Sequence, residues 1–318
     1  MPPFPKPTIA YKVDVTKEIK NIALYQKNKP DRKIPAKKKN KLLLATWNIA
    51  NLGTQKREAE HYKIIAEMLK WFDIIAIQEI NDNLEGLRHL QKELPANYQV
   101  IFTDASGNNE RMCFMFNNKK VKQMEKIGEI AVAVEDLADV KLPEIKSEFK
   151  GFSRSPFLAT FKINNFVVAL INAHSYFGDE SKIKSIERRS LEAYCIARWA
   201  DLRRKSKNCY TPNIIALGDF NLPKIEPGDL VYKALLARGF EIPEHSTKIY
   251  SNISNDMHYD QIVFMPGLKS LITNTGVFDF DGALFTELWD KEKPNILKNY
   301  LRYYISDHRI KWIEISAD

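Results

Sequence analysis

The 318-residue chain is 44% hydrophobic and 28% charged, an ordinary globular balance long enough for one large domain or two small ones. No run approaches the ~18 apolar residues of a membrane span, and the opening MPPFPKPTIAYKVDV lacks the apolar stretch of a secretory signal, so the expectation is an intracellular protein with no span. The formal charge of +8 lies wholly in residues 1–40, which hold eleven basic and three acidic residues against 37 of each in residues 41–318, so it says little about what the body binds.

Residues 1–40 are rich in proline and lysine, with a short helix expected near Val15–Tyr25, and they read as a basic extension that adds unspecific attraction to phosphates. From Lys41 the character changes. LLLATWNIA reads as a buried strand, and HYKIIAEMLKWF carries Ile65, Met68, Leu69 and Phe72 at helical spacing. DIIAIQEI is a second short apolar run, and Leu84, Leu87, Leu90 and Leu94 mark a second helix. The segments YQVIFT, RMCFMFN, FLATFKI and FVVALINAH read as strands. A long amphipathic helix is expected over DESKIKSIERRSLEAYCIARWADLRRKSKN, with Ile183, Ile186, Leu191, Tyr194, Trp199 and Leu202 on its apolar side. NIIALGDFN is a strand with a polar ending, and the helix after it stops near Gly239. YDQIVF and KWIEI close the chain as short strands. Several strands are apolar throughout, so they belong in sheets covered on both faces, a layered α/β arrangement. Cys113, Cys195 and Cys209 have no zinc-like spacing and read as free thiols.

Six strands share one habit, a polar residue at an end. They contribute Asn48, Glu79, His174, the pair Asp219 and Asn221, the pair Asp307 and His308, and Asp260 at the start of its strand. Ligand sites of open α/β sheets collect at the carboxyl ends of strands, so these side chains can meet in one cleft. Carboxylates with carboxamides are hard oxygen ligands suited to Mg²⁺ or Mn²⁺. Two histidines with separate acidic partners suit proton transfer near neutral pH. Together they are parts for metal-assisted attack of water on a phosphate ester.

The ordered series TWNIANLG, IAIQEIND, NNERMCFMF, FSRSPF, INAHS, GDFN, YDQIVF and SDHR resembles the endonuclease/exonuclease/phosphatase superfamily, and within it the deoxyribonuclease I-like nucleases. The resemblance covers about Leu42 to Ile315 and implies a four-layer α/β/β/α sandwich, two packed mixed sheets flanked by helices, with residues 41–318 as the catalytic domain. It implies that Asn48 and Glu79 hold a catalytic Mg²⁺ or Mn²⁺ with Asp307 near it. Asp219 and Asn221 bind a second metal or orient the phosphate and nucleophile. His174 and His308 act as general acid and base, oriented by Glu110 and Asp260, and Arg154 grips a phosphate. The expected activity is hydrolysis of DNA or RNA by a monomer. The alternatives are a phosphatase or phosphodiesterase on a small or lipid ester, and a binding module without activity. Asn108 and Asn81 stand where deoxyribonuclease I has a tyrosine and an arginine that touch DNA, so the same duplex preference does not carry over. DMHYDQIVF replaces the PAWCDRIL-type signature of the inositol-phosphate branch.

Overall fold

The computed structural model describes residues 3–179, 181–244, 248–290 and 293–318. The run from Lys41 to Leu52 forms β1, and only its first residue is not buried. Its side chains alternate between two cores, Leu42 and Leu44 on one face and Leu43, Ala45 and Trp47 on the other. β2 (Ile74–Asn81) does the same, with Ile74 and Ala76 opposite Ile75 and Ile77. A strand apolar on both faces requires cover on both, and that produces the layers.

The remaining strands are β3 (Tyr98–Phe102), β4 (Glu110–Asn117), β5 (Lys122–Glu129), β6 (Phe157–Ile163), β7 (Phe166–His174), β8 (Ile214–Asp219), β9 (Asp260–Phe264), β10 (Ile272–Phe278) and β11 (Ile310–Ser316). They build two mixed sheets, one of six strands in the order β10-β11-β1-β2-β4-β3 and one of five in the order β5-β6-β7-β8-β9. Each sheet has one parallel pair, β1 with β2 and β7 with β8. The central core between the sheets includes Phe114, Phe161, Leu170, Leu217 and Ile313.

Helices α2 (Ala59–Leu69), α3 (Glu85–Glu93) and α6 (Asn295–Tyr304) cover the six-stranded sheet, and α4 (Ile183–Lys205) and α5 (Leu230–Leu236) cover the other. The architecture is the four-layer sandwich expected. β5 and β10 were not anticipated, and β5 is a largely exposed edge strand without apolar alternation. Asp307 and His308, expected at the end of a strand, instead follow helix α6 and lie in the turn that leads into β11, because Tyr300, Leu301 and Tyr304 bury one face of a helix there. On α4, Ile183 and Leu202 are 58% and 46% exposed, contrary to expectation. The face on the sheet instead carries Ala193, Ile196, Ala197 and Ala200, because small residues allow close packing there.

The segment before Lys41, expected as a basic extension with a short helix near Val15–Tyr25, forms that helix and packs on the body. Helix α1 (Val15–Asn28) begins at Asp14, whose carboxylate accepts the Lys17 N–H at 3.0 Å. Its Ile22 is 1% exposed in the outer core of the six-stranded sheet. Its buried Glu18 accepts the backbone N–H of Phe285 at 2.8 Å. Arg32 forms a forked pair with Asp279, at 2.6 and 3.0 Å. Basic composition therefore concealed an apolar stripe that completes the outer layer. No helix among the described residues is long and apolar enough to cross a membrane.

Candidate active site

The carboxyl ends of the two parallel pairs face each other across the sandwich. β1 and β2 deliver Asn48 and Glu79 there, while β7 and β8 deliver His174 and Asp219. Register makes the second set compact, since His174 lies opposite Asp219 and Asp219 opposite Asp260 at the start of antiparallel β9. Gly218 permits this approach. Its φ is +140°, and a Cβ there would lie 2.0 Å from the Ala173 carbonyl oxygen.

Bulges aim the first set. The register of β1 with β2 shifts between Asn48 and Leu52, and that of β2 with β4 shifts between Ile77 and Ile80. Glu79 has φ +60°, a left-handed conformation that a glutamate rarely adopts, and Asn51 and Asn221 are left-handed at +51° and +49°. Strained backbone of this kind costs roughly 1–3 kcal/mol per residue and gathers at functional sites.

A cleft of about 540 Å³ opens over these ends, and Glu79, Arg154, His174, Asp219, Asn221, Asp307 and His308 all line it. Asn48, Glu110 and Asp260 sit directly behind them, so all ten expected residues converge. The Asn48 amide donates to Glu79 Oε1 at 2.9 Å and to Asp219 Oδ2 at 3.0 Å, bridging the two sheets. Asn51 N–H holds the other Glu79 oxygen at 2.8 Å. His308 Nδ1 meets Asp260 Oδ2 at 2.9 Å, and its Nε2 faces Asp219 Oδ2 at 3.8 Å. His174 Nε2 lies 3.7 Å from the same Asp219 oxygen. Both rings therefore look at one carboxylate.

The Glu110–His174 pairing is looser than the Asp260–His308 one. His174 Nδ1 is 3.4 Å from Glu110 Oε2 without hydrogen-bond alignment, because Arg154 Nε donates to that oxygen at 2.9 Å. Arg154 is itself 5% exposed and reaches the His174 carbonyl at 3.4 Å. Asn108 lines the cleft, whereas Asn81 bonds Thr54 at 2.9 Å.

Several supports were invisible in the sequence. Ser306 donates to the Asn48 carbonyl at 2.7 Å and accepts the His308 N–H at 3.0 Å. Buried charges of α4 hold the loops of the cleft: Glu192 accepts the N–H groups of Ser153 and Tyr176, both at 2.8 Å, and Arg189 donates to the Asn221 carbonyl at 2.6 Å. Charged residues at buried helix positions were the available signal, and they were obscured by the exposed ones around them.

Burial and the nearby Glu110 push the Glu79 carboxyl up to about 7. Burial also raises Asp219. His174 is held well below the usual histidine range by burial, and further by the charges of Arg154 and His308. For His308 burial acts in the same direction, but Asp260 and Asp219 outweigh it and raise the ring well above that range. One ring is thus neutral and the other cationic.

The oxygen set lacks positive charge. Asn48 Oδ1 is buried without a partner, beside the Glu79 carboxyl that burial disfavours as an anion. Such a pair of hard oxygen donors fits a hard divalent cation. One ligand atom each of Asp219, Asp260 and His308 also lie within 4.8 Å of one another. Within that trio His308 Nδ1 and Asp260 Oδ2 are at hydrogen-bond distance, 2.9 Å, while Asp219 Oδ2 is 3.8 Å from His308 Nε2.

No family model matches the sequence, and no curated protein does. Solved structures do match in fold. An endonuclease/exonuclease/phosphatase family protein from Bacteroides thetaiotaomicron is 19% identical, with 87% of this chain and 98% of that chain covered and a TM-score of 0.54. A mannosyl-6-phosphatase from the same organism is 18% identical, with 86% and 98% covered and a TM-score of 0.53. An AP endonuclease from Archaeoglobus fulgidus is 16% identical, with 87% and 100% covered and a TM-score of 0.52. The chain therefore has the fold of the endonuclease/exonuclease/phosphatase proteins.

Proposed function

We propose that this chain is a divalent-cation-dependent phosphoric-ester hydrolase whose substrate is nucleic acid, DNA first and RNA second. The observation that carries the reading is the convergence of one neutral and one cationic histidine, Asp219 and Arg154 on one cleft, next to an oxygen set short of positive charge. Asn48 and Glu79, with Asp307 at the cleft wall, would hold Mg²⁺ or Mn²⁺, which when bound supplies Lewis-acid stabilisation of the phosphate and leaving oxygen.

The chain's own groups divide the remaining work. Arg154, fixed by Glu110, presents a planar guanidinium to a phosphate oxygen. His308, charged by Asp260, faces the substrate as a cation and proton donor. His174 is neutral and can accept a proton from water. Asp219 lies between the two rings, and Asn221, whose N–H donates to Asp219 Oδ1 at 2.9 Å, fixes that carboxylate. Orientation of a water and a phosphate between such groups is itself a large part of the barrier reduction.

The folds matched include both a nuclease and a sugar phosphatase, which supports phosphate-ester chemistry and leaves the small-ester reading as the alternative. The test is to incubate purified protein with Mg²⁺ or Mn²⁺ and plasmid DNA, single-stranded DNA, RNA, an abasic duplex, a phosphoinositide and a sugar monophosphate. Strand cleavage that disappears in chelator supports the proposal. Turnover of only the phosphoinositide or sugar phosphate selects the alternative, and turnover in excess chelator overturns the metal requirement.

A further inference from the structure

Two guanidinium groups line the cleft among the described residues, and they are committed to different degrees. Arg154 is buried and paired with Glu110. Arg302, in the last turn of α6, is half-buried. Its hydrogen-bond partner among the described residues is Asp307, at a long 3.5 Å. Its Nε is buried with no partner.

What holds Arg302 comes from the other end of the chain. Its guanidinium carbon lies 4.1 Å from the centroid of the Phe4 ring, and Phe4 lines the same cleft. The Phe4 N–H donates to Gln55 Oε1 at 3.0 Å. Gln55 is 1% exposed, and its amide donates to the Tyr303 carbonyl at 2.8 Å and the Arg302 carbonyl at 3.3 Å. One buried glutamine therefore ties the N-terminal segment to the turn that carries Arg302. A ring stacked on a guanidinium covers its face and leaves the in-plane N–H groups free for an anion. The single pair with Asp307, long at 3.5 Å and half-exposed, is weak enough for a phosphate to compete.

We infer that Arg302, clamped by Phe4 of the N-terminal segment, is a second anion-binding group of the cleft and takes a phosphate adjacent to the one at Arg154 and the histidines. The inference rests on the phosphate-ester reading above. It makes the cleft selective for ligands with two phosphates spaced as along a nucleic-acid strand. Phe4 is a positioning residue, since it acts through Arg302.

The test is calorimetric binding of thymidine 3′,5′-bisphosphate and thymidine 5′-monophosphate to the full chain in chelator, for wild type, Arg302→Gln, Arg302→Lys, Phe4→Ala and Phe4→Tyr. Wild type should prefer the bisphosphate by about tenfold or more, the worth of one charge-assisted contact. Arg302→Gln should erase that preference, and Arg302→Lys should keep part of it. Phe4→Ala should reduce it about threefold and Phe4→Tyr should restore it. Thermal midpoints establish that each variant is folded. Equal binding of the two nucleotides by wild type overturns the inference, as does an equal weakening of both by the variants. If wild type discriminates but hydrolyses nothing in the substrate panel, the second anion site stands and the hydrolase reading falls. If it cleaves DNA while Arg302→Gln leaves the preference intact, the reverse holds.

Discussion

Glu79→Gln is expected to stabilise the metal-free protein while abolishing turnover. The Glu79 side chain is 2% exposed, and burial with Glu110 nearby moves its carboxyl from 4.5 up to about 7. Because the folded-state value is the higher one, the contribution to stability is complete below pH 4.5 and is lost as pH rises through 7. At about 1.4 kcal/mol per unit, the ionised carboxylate opposes folding by about 3 kcal/mol well above pH 7. Glutamine removes that term. It also turns an NH₂ toward the Asn48 amide in place of an oxygen, at a loss of about 1 kcal/mol for one hydrogen bond. The net gain is about 2 kcal/mol, or roughly 4 °C in thermal midpoint for a chain of this size. The assay is thermal unfolding in chelator at pH 5 and pH 9, repeated with Mg²⁺ or Mn²⁺. The variant should be more stable than wild type at pH 9, and close to it or slightly less stable at pH 5. Added cation at 100 times its Kd should stabilise wild type by about 2.7 kcal/mol and the variant by much less, which reverses the order. A variant less stable than wild type at pH 9 in chelator would refute the electrostatic reasoning. A wild-type midpoint indifferent to both cations would refute the ligand assignment.

Gly218→Ala should lose more than about 3 kcal/mol in chemical denaturation and most activity, since its Cβ would meet the Ala173 oxygen at 2.0 Å where β7 and β8 bring His174 to Asp219; a wild-type midpoint and rate would show that the strands part without consequence. His174→Ala and His308→Ala should each reduce turnover by about 10²–10⁴-fold, measured as initial cleavage rates at saturating metal. Asp260→Asn removes the main partner that raises His308, so activity that depends on the cationic ring should be lost at lower pH than in wild type; an unchanged alkaline limb of the rate profile would rule that dependence out. Ile22→Ala should cost about 2–5 kcal/mol in denaturant unfolding, and a loss below 0.5 kcal/mol would restore the free-extension reading of the leader.

The strands β1, β2, β7 and β8 were legible because each contains a run of consecutive apolar residues, and only a sheet covered on both faces has a use for such a run. Glu79, His174 and Asp219 were legible for the same reason, as ionisable groups at or near the ends of such runs, whereas Asn48 lies inside β1, which runs on to Leu52, with buried Thr46 as another polar residue in the same strand. The α4 stripe was misread because large apolar residues were counted and alanines were not, although close approach to a sheet selects for small side chains.

Residue order along the chain thus determined the layers and the composition of the site, because periodicity and strand ends are local properties. Tertiary structure alone decided which ends meet. Asn48 touches Asp219 across 171 positions of sequence, and that contact exists only because two sheets stack with their parallel pairs aligned. It decided that Ile22 of the basic leader is core and that Phe4 reaches a cleft whose arginine lies near the other end of the chain. It also decided the protonation of the two histidines, identical in composition and both buried. His308 has Asp260 at 2.9 Å, whereas Arg154 occupies the oxygen that His174 would need. Burial and charge state are sums over neighbours in space, and most of those neighbours are distant in sequence.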